Sequence, residues 1–187
     1  MTIPTWRGLR RRLWPRLGLS TLRVAVREET LTMIVDTPMA WERAEHYATA
    51  EPETLDWLDQ MAPGEILFDV GANIGIYGLY AAARGIQVLA FEPEALNAGR
   101  LQQHIAINGF VGRITPYVVA ITNQSGLDLL HLHGPAVATA AALHAFGAPV
   151  DYAGRPFTAV AKQGVYGTSL DDLIERGLPV PTYLKST

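Results

Sequence analysis

Apolar positions change rhythm near residue 64, and the change divides the chain. Ahead of it, in 22-LRVAVREETLTMIVDTP-38, Val24 and Val26 and then Leu31, Met33 and Val35 alternate with polar or small neighbours. Period-two alternation is the mark of half-buried strands, so the segment predicts two strands joined by a polar turn near Glu28 and Glu29. Residues 39-MAWERAEHYATA-50 predict a helix. In 52-PETLDWLDQM-61, Pro52 suits a first helical turn, Leu55, Trp57, Leu58 and Met61 give an apolar face, and Pro63-Gly64 ends the helix.

Beyond residue 64, short apolar runs alternate with helical patterns. Residues 65-EILFDV-70, 86-IQVLAFE-92 and 114-ITPYVVAI-121 predict strands, the first two almost continuously apolar, as strands covered on both faces are. Residues 74–85 and 94–109 predict the helices between them, the second leaving through Asn108-Gly109. Residues 127-LDLLHLH-133 predict another strand. Residues 134–167, rich in Ala, Gly and Pro, predict an irregular insertion suited to a lid. A short helix follows at 168–177, capped by Thr168 or Ser169 with Asp171 and Asp172 in its first turn. Residues 182–187 predict the start of a fourth core strand. The βαβαβ order argues for an α/β, doubly wound, mostly parallel sheet with right-handed crossovers. The expected organisation is an arm over residues 1–21, strands and helix packing on the core over 22–62, and a Rossmann-like cofactor-binding domain over 63–187.

Composition narrows the function. Apolar residues make up 49% and charged residues 18% of the 187, a folding composition, and the formal net charge of −3 gives no global pull toward nucleic acid. Arg7, Arg10, Arg11, Arg12, Arg16, Arg23 and Arg27 all precede the first acid, Glu28, and are interleaved with Trp6, Leu9, Leu13 and Trp14. This segment reads either as an amphipathic arm for a membrane surface or acidic partner, or as a solvated terminus. The chain has no cysteine, which removes disulfides, thiolate metal sites and thiol nucleophiles. With no apolar run of membrane-spanning length and no signal-like apolar segment, a cytoplasmic location is the expectation.

The candidate chemistry gathers at 68-FDVGANIGIYG-78, a glycine-rich loop between a strand and a helix. Gly71 allows the tight turn and Gly75 a close helix start. Asn73 stands where a dinucleotide-binding loop has its second glycine; asparagine tolerates positive φ, but its side chain occupies space that a pyrophosphate needs. Asp69 would repel phosphate and attract a cation, which favours S-adenosylmethionine, a cofactor with an ammonium and a sulfonium. Glu92 ends the next strand, where a carboxylate can accept hydrogen bonds from both ribose hydroxyls. His131 and His133 alternate on one strand face; a solvated face is preferred to a metal half-site, and no metal is expected. His46 and His144 read as surface or loop residues.

The segments 69-DVGANIG-75, 91-FEPEALN-97, 108-NG-109, 119-VAITNQSG-126 and 168-TSLDDL-173 together resemble the FkbM family of S-adenosylmethionine-dependent methyltransferases, from about Glu51 to Lys185. The resemblance implies a seven-stranded Rossmann-like fold and methylation of hydroxyl oxygens on sugars, polyketides or related small molecules. It places Asp69, Gly71, Ala72, Asn73 and Gly75 at the methionine end of the cofactor and Glu92 at the ribose. Asn97 falls near the adenosine or braces the helix start, and Ala120 lies beside the adenine at the end of the third strand. Glu51 matches an acidic position, with a helix cap as its simpler role. His104, where the pattern often carries asparagine, reads as a helix-surface or core histidine.

The pattern continues, after a segment like 183-YLK-185, with an acidic D-x-D/E-G motif, but here Ser186 and Thr187 follow. The expectation is therefore a fragment or frameshifted product whose catalytic residues are unknown. The alternatives are a non-catalytic cofactor-binding remnant and an NAD-type Rossmann domain.

Overall fold

The computed structural model describes residues 21–133, 144–151 and 153–186. Most of the arginine-rich arm, and residues 134–143 of the expected lid, lie outside them.

The described residues open with an antiparallel hairpin, β1 (Thr21–Val26) and β2 (Glu29–Ile34), turned at Arg27, whose φ is +54°. Leu31, Met33 and Val35 point inward and are buried, as their alternation requires. The outer edge of β2 has no strand partner among the described residues but is not bare. Asn108 donates from its side-chain amide to Thr32 O (2.9 Å) and accepts from Thr32 N (2.8 Å), and the His104 ring accepts from Ile34 N (2.8 Å). Side chains thus satisfy backbone groups that another chain would otherwise pair with. Helix α1 (Pro38–Glu45) starts at Thr37, whose side chain accepts from Ala40 N, with Pro38 in the first turn. Helix α2 (Pro52–Leu58) also begins on a proline and buries Leu55 and Leu58.

The core follows as β3 (Ile66–Val70), α3 (Ile76–Ala83), β4 (Gln87–Phe91), α4 (Ala95–Ile107) and β5 (Ile114–Tyr117). Alternation along the strands sorts side chains to two faces. Leu67, Val88 and Ala90 join the helices and hairpin on one side, while Phe68, Leu89 and Phe91 form a cluster on the other. Phe91 stacks on Tyr117 with ring centroids 5.4 Å apart and meets Phe68 edge-on at 5.2 Å.

After β5 the chain builds a second sheet: β6 (Ala120–Ile121), β7 (Gly126–Leu132), β8 (His144–Phe146) and β9 (Ala161–Thr168), in the order β6-β9-β7-β8. Helix α5 (Leu170–Glu175), capped by Ser169, returns Leu170, Leu173 and Ile174 to the Phe68 face. Strand β10 (Tyr183–Ser186) then pairs in parallel with β3, completing the order β10-β3-β4-β5. With both faces covered, the α/β doubly wound arrangement is observed.

Three expectations are corrected. The run 114–121 is not one strand: it leaves the parallel sheet after Tyr117, and Ala120 and Ile121 pair instead with Gly167 and Thr168. Residues 134–167 are not irregular throughout, since β9 is the longest described strand and pairs along all of β7. Its alternation is hidden by Gly164 and Gly167, and at Gly167 a Cβ would lie 2.6 Å from Thr122 Cγ2 and 2.7 Å from Phe146 Cζ. His131 does not sit on a solvated face: it is buried, with Nε2 3.1 Å from Gly147 O.

Candidate functional site

The loop between β3 and α3 is a left-handed turn held by its own backbone. Gly71, Asn73 and Gly75 have φ of +73°, +54° and +93°. Gly71 N and Ala72 N both donate to Phe91 O, at 2.9 and 3.1 Å. Asn73 N donates to Glu92 Oε2 at 2.8 Å, Ile74 N to Asn73 Oδ1 at 2.9 Å, and Gly75 N to Ala72 O at 2.9 Å. Every N–H from residue 71 to 75 is therefore engaged within the chain. Gly75 serves packing as well as turning, because a Cβ there would stand 2.5 Å from Leu101 Cδ1 on α4.

Glu92 follows β4 and is nearly closed to solvent. Its Oε2 accepts from Asn73 N, its Oε1 accepts from Glu94 N (2.9 Å), and the Asn97 side chain adds a third bond. Burial pushes this carboxyl up to about 7 against those bonds, which favour the charged form. An ionised carboxylate has about four acceptor sites, so capacity remains for a ligand hydroxyl. Glu94 caps α4 by accepting from Leu96 N and Asn97 N. Asn97, fully buried, thus braces the acid rather than facing the cleft.

Asp69 meets a cation, and that cation comes from the same chain. In the parallel register Lys185 of β10 lies beside Asp69, with Nζ 3.4 Å from Oδ1. Neither carboxylate oxygen has a hydrogen bond of good geometry, and burial raises the Asp69 pKa while Lys185 draws it back. Lys185 Nζ also lies 4.9 Å from the centre of the Tyr77 ring. Tyr77 hydrogen-bonds Glu51; burial, with that bond, raises its phenol well above the usual range. Tyr47 donates to Ile76 O and so fixes the first turn of α3.

These groups surround a cleft of about 220 Å³ at the carboxyl ends of β3 and β4. Of the residues expected from the sequence, Gly71, Ala72, Asn73 and Glu92 line it, as does Glu51. Asp69, Gly75 and Asn97 stand behind the wall, and Ala120 is carried off by β6 into the second sheet. Sequence reasoning missed Arg43, Tyr77 and Lys185 on one side and Leu130 and His144 on the other. Lys185 could be found only by knowing that β10 docks beside β3. His144 is a wall residue, not an ordinary loop histidine. His104 is a core residue held from both sides: Nδ1 donates to Ile74 O (2.8 Å), Nε2 accepts from Ile34 N, and burial lowers its pKa to about 4. Among the described residues no cluster of three metal-ligating side chains occurs, and no helix is long and apolar enough to cross a membrane.

No family model matches the chain. It is 31% identical over 74 residues to a tRNA (guanine(37)-N(1))-methyltransferase of Leishmania major, covering 40% of this chain and 10% of that protein. It is 33% identical over 70 residues to the 31-O-demethyl-FK506 methyltransferase FkbM of Streptomyces tacrolimicus, covering 36% of this chain and 26% of that protein. The chain thus spans about a quarter or less of the length of these curated relatives, and both are methyltransferases. Among solved structures, an S-adenosylmethionine-dependent methyltransferase of Geobacter sulfurreducens in complex with S-adenosyl-L-homocysteine aligns with a TM-score of 0.35 at 18% identity, over 40% of this chain and 32% of that one.

Proposed function

We propose that this chain is the cofactor-binding part of an S-adenosylmethionine-dependent methyltransferase of FkbM type, which methylates a hydroxyl oxygen on a small molecule or saccharide. The observation that carries the reading is the closed backbone of residues 71–75. A pyrophosphate needs free N–H groups in such a loop, and here all are spent within the chain, so an NAD-type ligand is disfavoured. What the cleft offers instead is a buried carboxylate with acceptor capacity left, which fits a ribose hydroxyl, and a turn that Gly71 leaves without a side chain. The local identity to two methyltransferases supports the same reading.

The bound cofactor would supply an activated methyl group on a sulfonium. The protein's own share is alignment and proton removal. Glu92 would fix the nucleoside, the 71–73 turn the amino-acid end. Glu51, hydrogen-bonded to Tyr77 on the cleft wall, would receive the proton from an acceptor. The two relatives differ in acceptor, one named for a tRNA base and one for FK506. A formal net charge of −3 supports an uncharged small acceptor over a polyanion.

Calorimetric titration tests the proposal. S-adenosylhomocysteine should bind and NAD should not, and Glu92→Gln should weaken binding about tenfold, the loss of one charge-assisted hydrogen bond. Binding of NAD in preference to S-adenosylhomocysteine would sink it.

A further inference from the structure

The second sheet reaches the cleft through two adjacent side chains. Leu130 on β7 and Gln163 on β9 are cross-strand partners and therefore share a face. Gln163 uses both ends of its amide on the turn after Glu92: Nε2 donates to Pro93 O at 2.7 Å, and Oε1 accepts from Ala95 N at 3.0 Å. The donor and acceptor are matched to that one peptide stretch, as another strand would be. Leu130 lines the cleft together with Pro93 and Glu92, and His144, on β8, stands at the same wall. The base of a nucleoside hangs from the carbon next to its 2′-hydroxyl, so a ribose held at Glu92 brings the base toward Pro93 and Leu130. Ala120, which β6 carries into the second sheet, is not among the residues lining that cleft.

We propose that the second sheet is one wall of the cofactor site: Gln163 is a positioning residue that holds the turn carrying Glu92, and Leu130 packs against the purine. The inference rests on the methyltransferase reading and adds to it a base subsite on β7 and β8.

Photolabelling of the whole wild-type chain with 8-azido-S-adenosylmethionine, followed by peptide mapping, tests the wall. The label should fall on residues 127–132 or 144–146. Label confined to residues 118–122 would overturn the proposal. Gln163→Leu, confirmed as folded by circular dichroism, tests the clasp. Its S-adenosylhomocysteine affinity should fall about tenfold, two hydrogen bonds being lost. The pH midpoint of binding should also rise above that of the wild type, because a loosened turn weakens the Glu94 N–H bond to the Glu92 carboxylate. A uniform loss of affinity with an unmoved midpoint means only a structural role and overturns the positioning claim. Should Gln163→Leu fail to fold, the photolabel decides alone. Failure of the wild type to bind S-adenosylhomocysteine removes the methyltransferase reading itself; binding with the label at 118–122 removes only this one.

Discussion

The two four-stranded sheets of this molecule are held by different means. The central strands of the parallel sheet, β3 and β4, are buried on both faces and succeed through apolar content: Leu67, Phe68, Val88, Leu89, Ala90 and Phe91 are all core residues. The second sheet has a small core of Ala120, Leu130, Leu132 and Val165, and exposes Leu127, Leu129 and Tyr166 on its other side. It is docked by specific polar contacts, the Gln163 clasp and the Ser125 hydroxyl bonded to Asp172 of α5. Burial on two faces gives a rigid platform. Burial on one face with a polar clasp gives a part that can be altered without unfolding the platform.

Mutations should break this contrast in order of size. Phe68→Ala should cost about 3–5 kcal/mol in denaturant unfolding, with loss of a ring sealed between Phe91 and α5. Val165→Ala, its counterpart in the second sheet, should cost about 1–2 kcal/mol, since a shallower site collapses more easily. An equal loss at both would mean the sheets unfold as one tightly packed body. The glycines sharpen the point. Gly75→Ala combines a φ of +93° with a Cβ 2.5 Å from Leu101 and should cost about 2–3 kcal/mol by thermal melting. Gly167→Ala meets the ends of the Thr122 and Phe146 side chains, which can shift at a half-buried edge. Its cost should be about 1 kcal/mol.

The platform also carries a pair of opposed pH slopes, at most about 1.4 kcal/mol per pH unit each. Glu92, raised to about 7 in the fold, binds its proton more tightly folded than unfolded. It therefore adds stability to the ligand-free chain at low pH that is lost as pH rises from about 4.5 through 7. His104, lowered to about 4, does the reverse and costs stability as pH falls from about 6.5 to 4. In the overlap the two offset one another. Glu92→Gln should unmask the histidine, and melting temperature should then drop more steeply on acidification than in the wild type. An unchanged profile would show that Glu92 titrates as an ordinary carboxyl.

The same contrast explains what the sequence disclosed. Strands 66–70 and 87–91 were legible because two-sided burial writes itself as an apolar run, and the loop was legible because left-handed turns demand Gly71, Gly75 or an asparagine at 73. Strand β9 was not, because a one-sided strand interrupted by Gly164 and Gly167 carries little pattern. The run 114–121 concealed its break, since Tyr117 and Ile121 are equally apolar whichever sheet they join. The walls of the cleft were hardest to read. Lys185 is 116 residues beyond Asp69, and only strand register sets them side by side.

The edge of β2 carries a last consequence. Its Thr32 and Ile34 amides are bonded to Asn108 and His104, one at the end of α4 and one within it. In hydrogen exchange these two amides would keep time with the opening of α4, not with fraying of the hairpin to which they belong by sequence. The hairpin's outer rim is thereby tied to the helix that Glu94 caps and that carries Asn97, so a disturbance of β1 and β2 would be felt at the Glu92 end of the cleft.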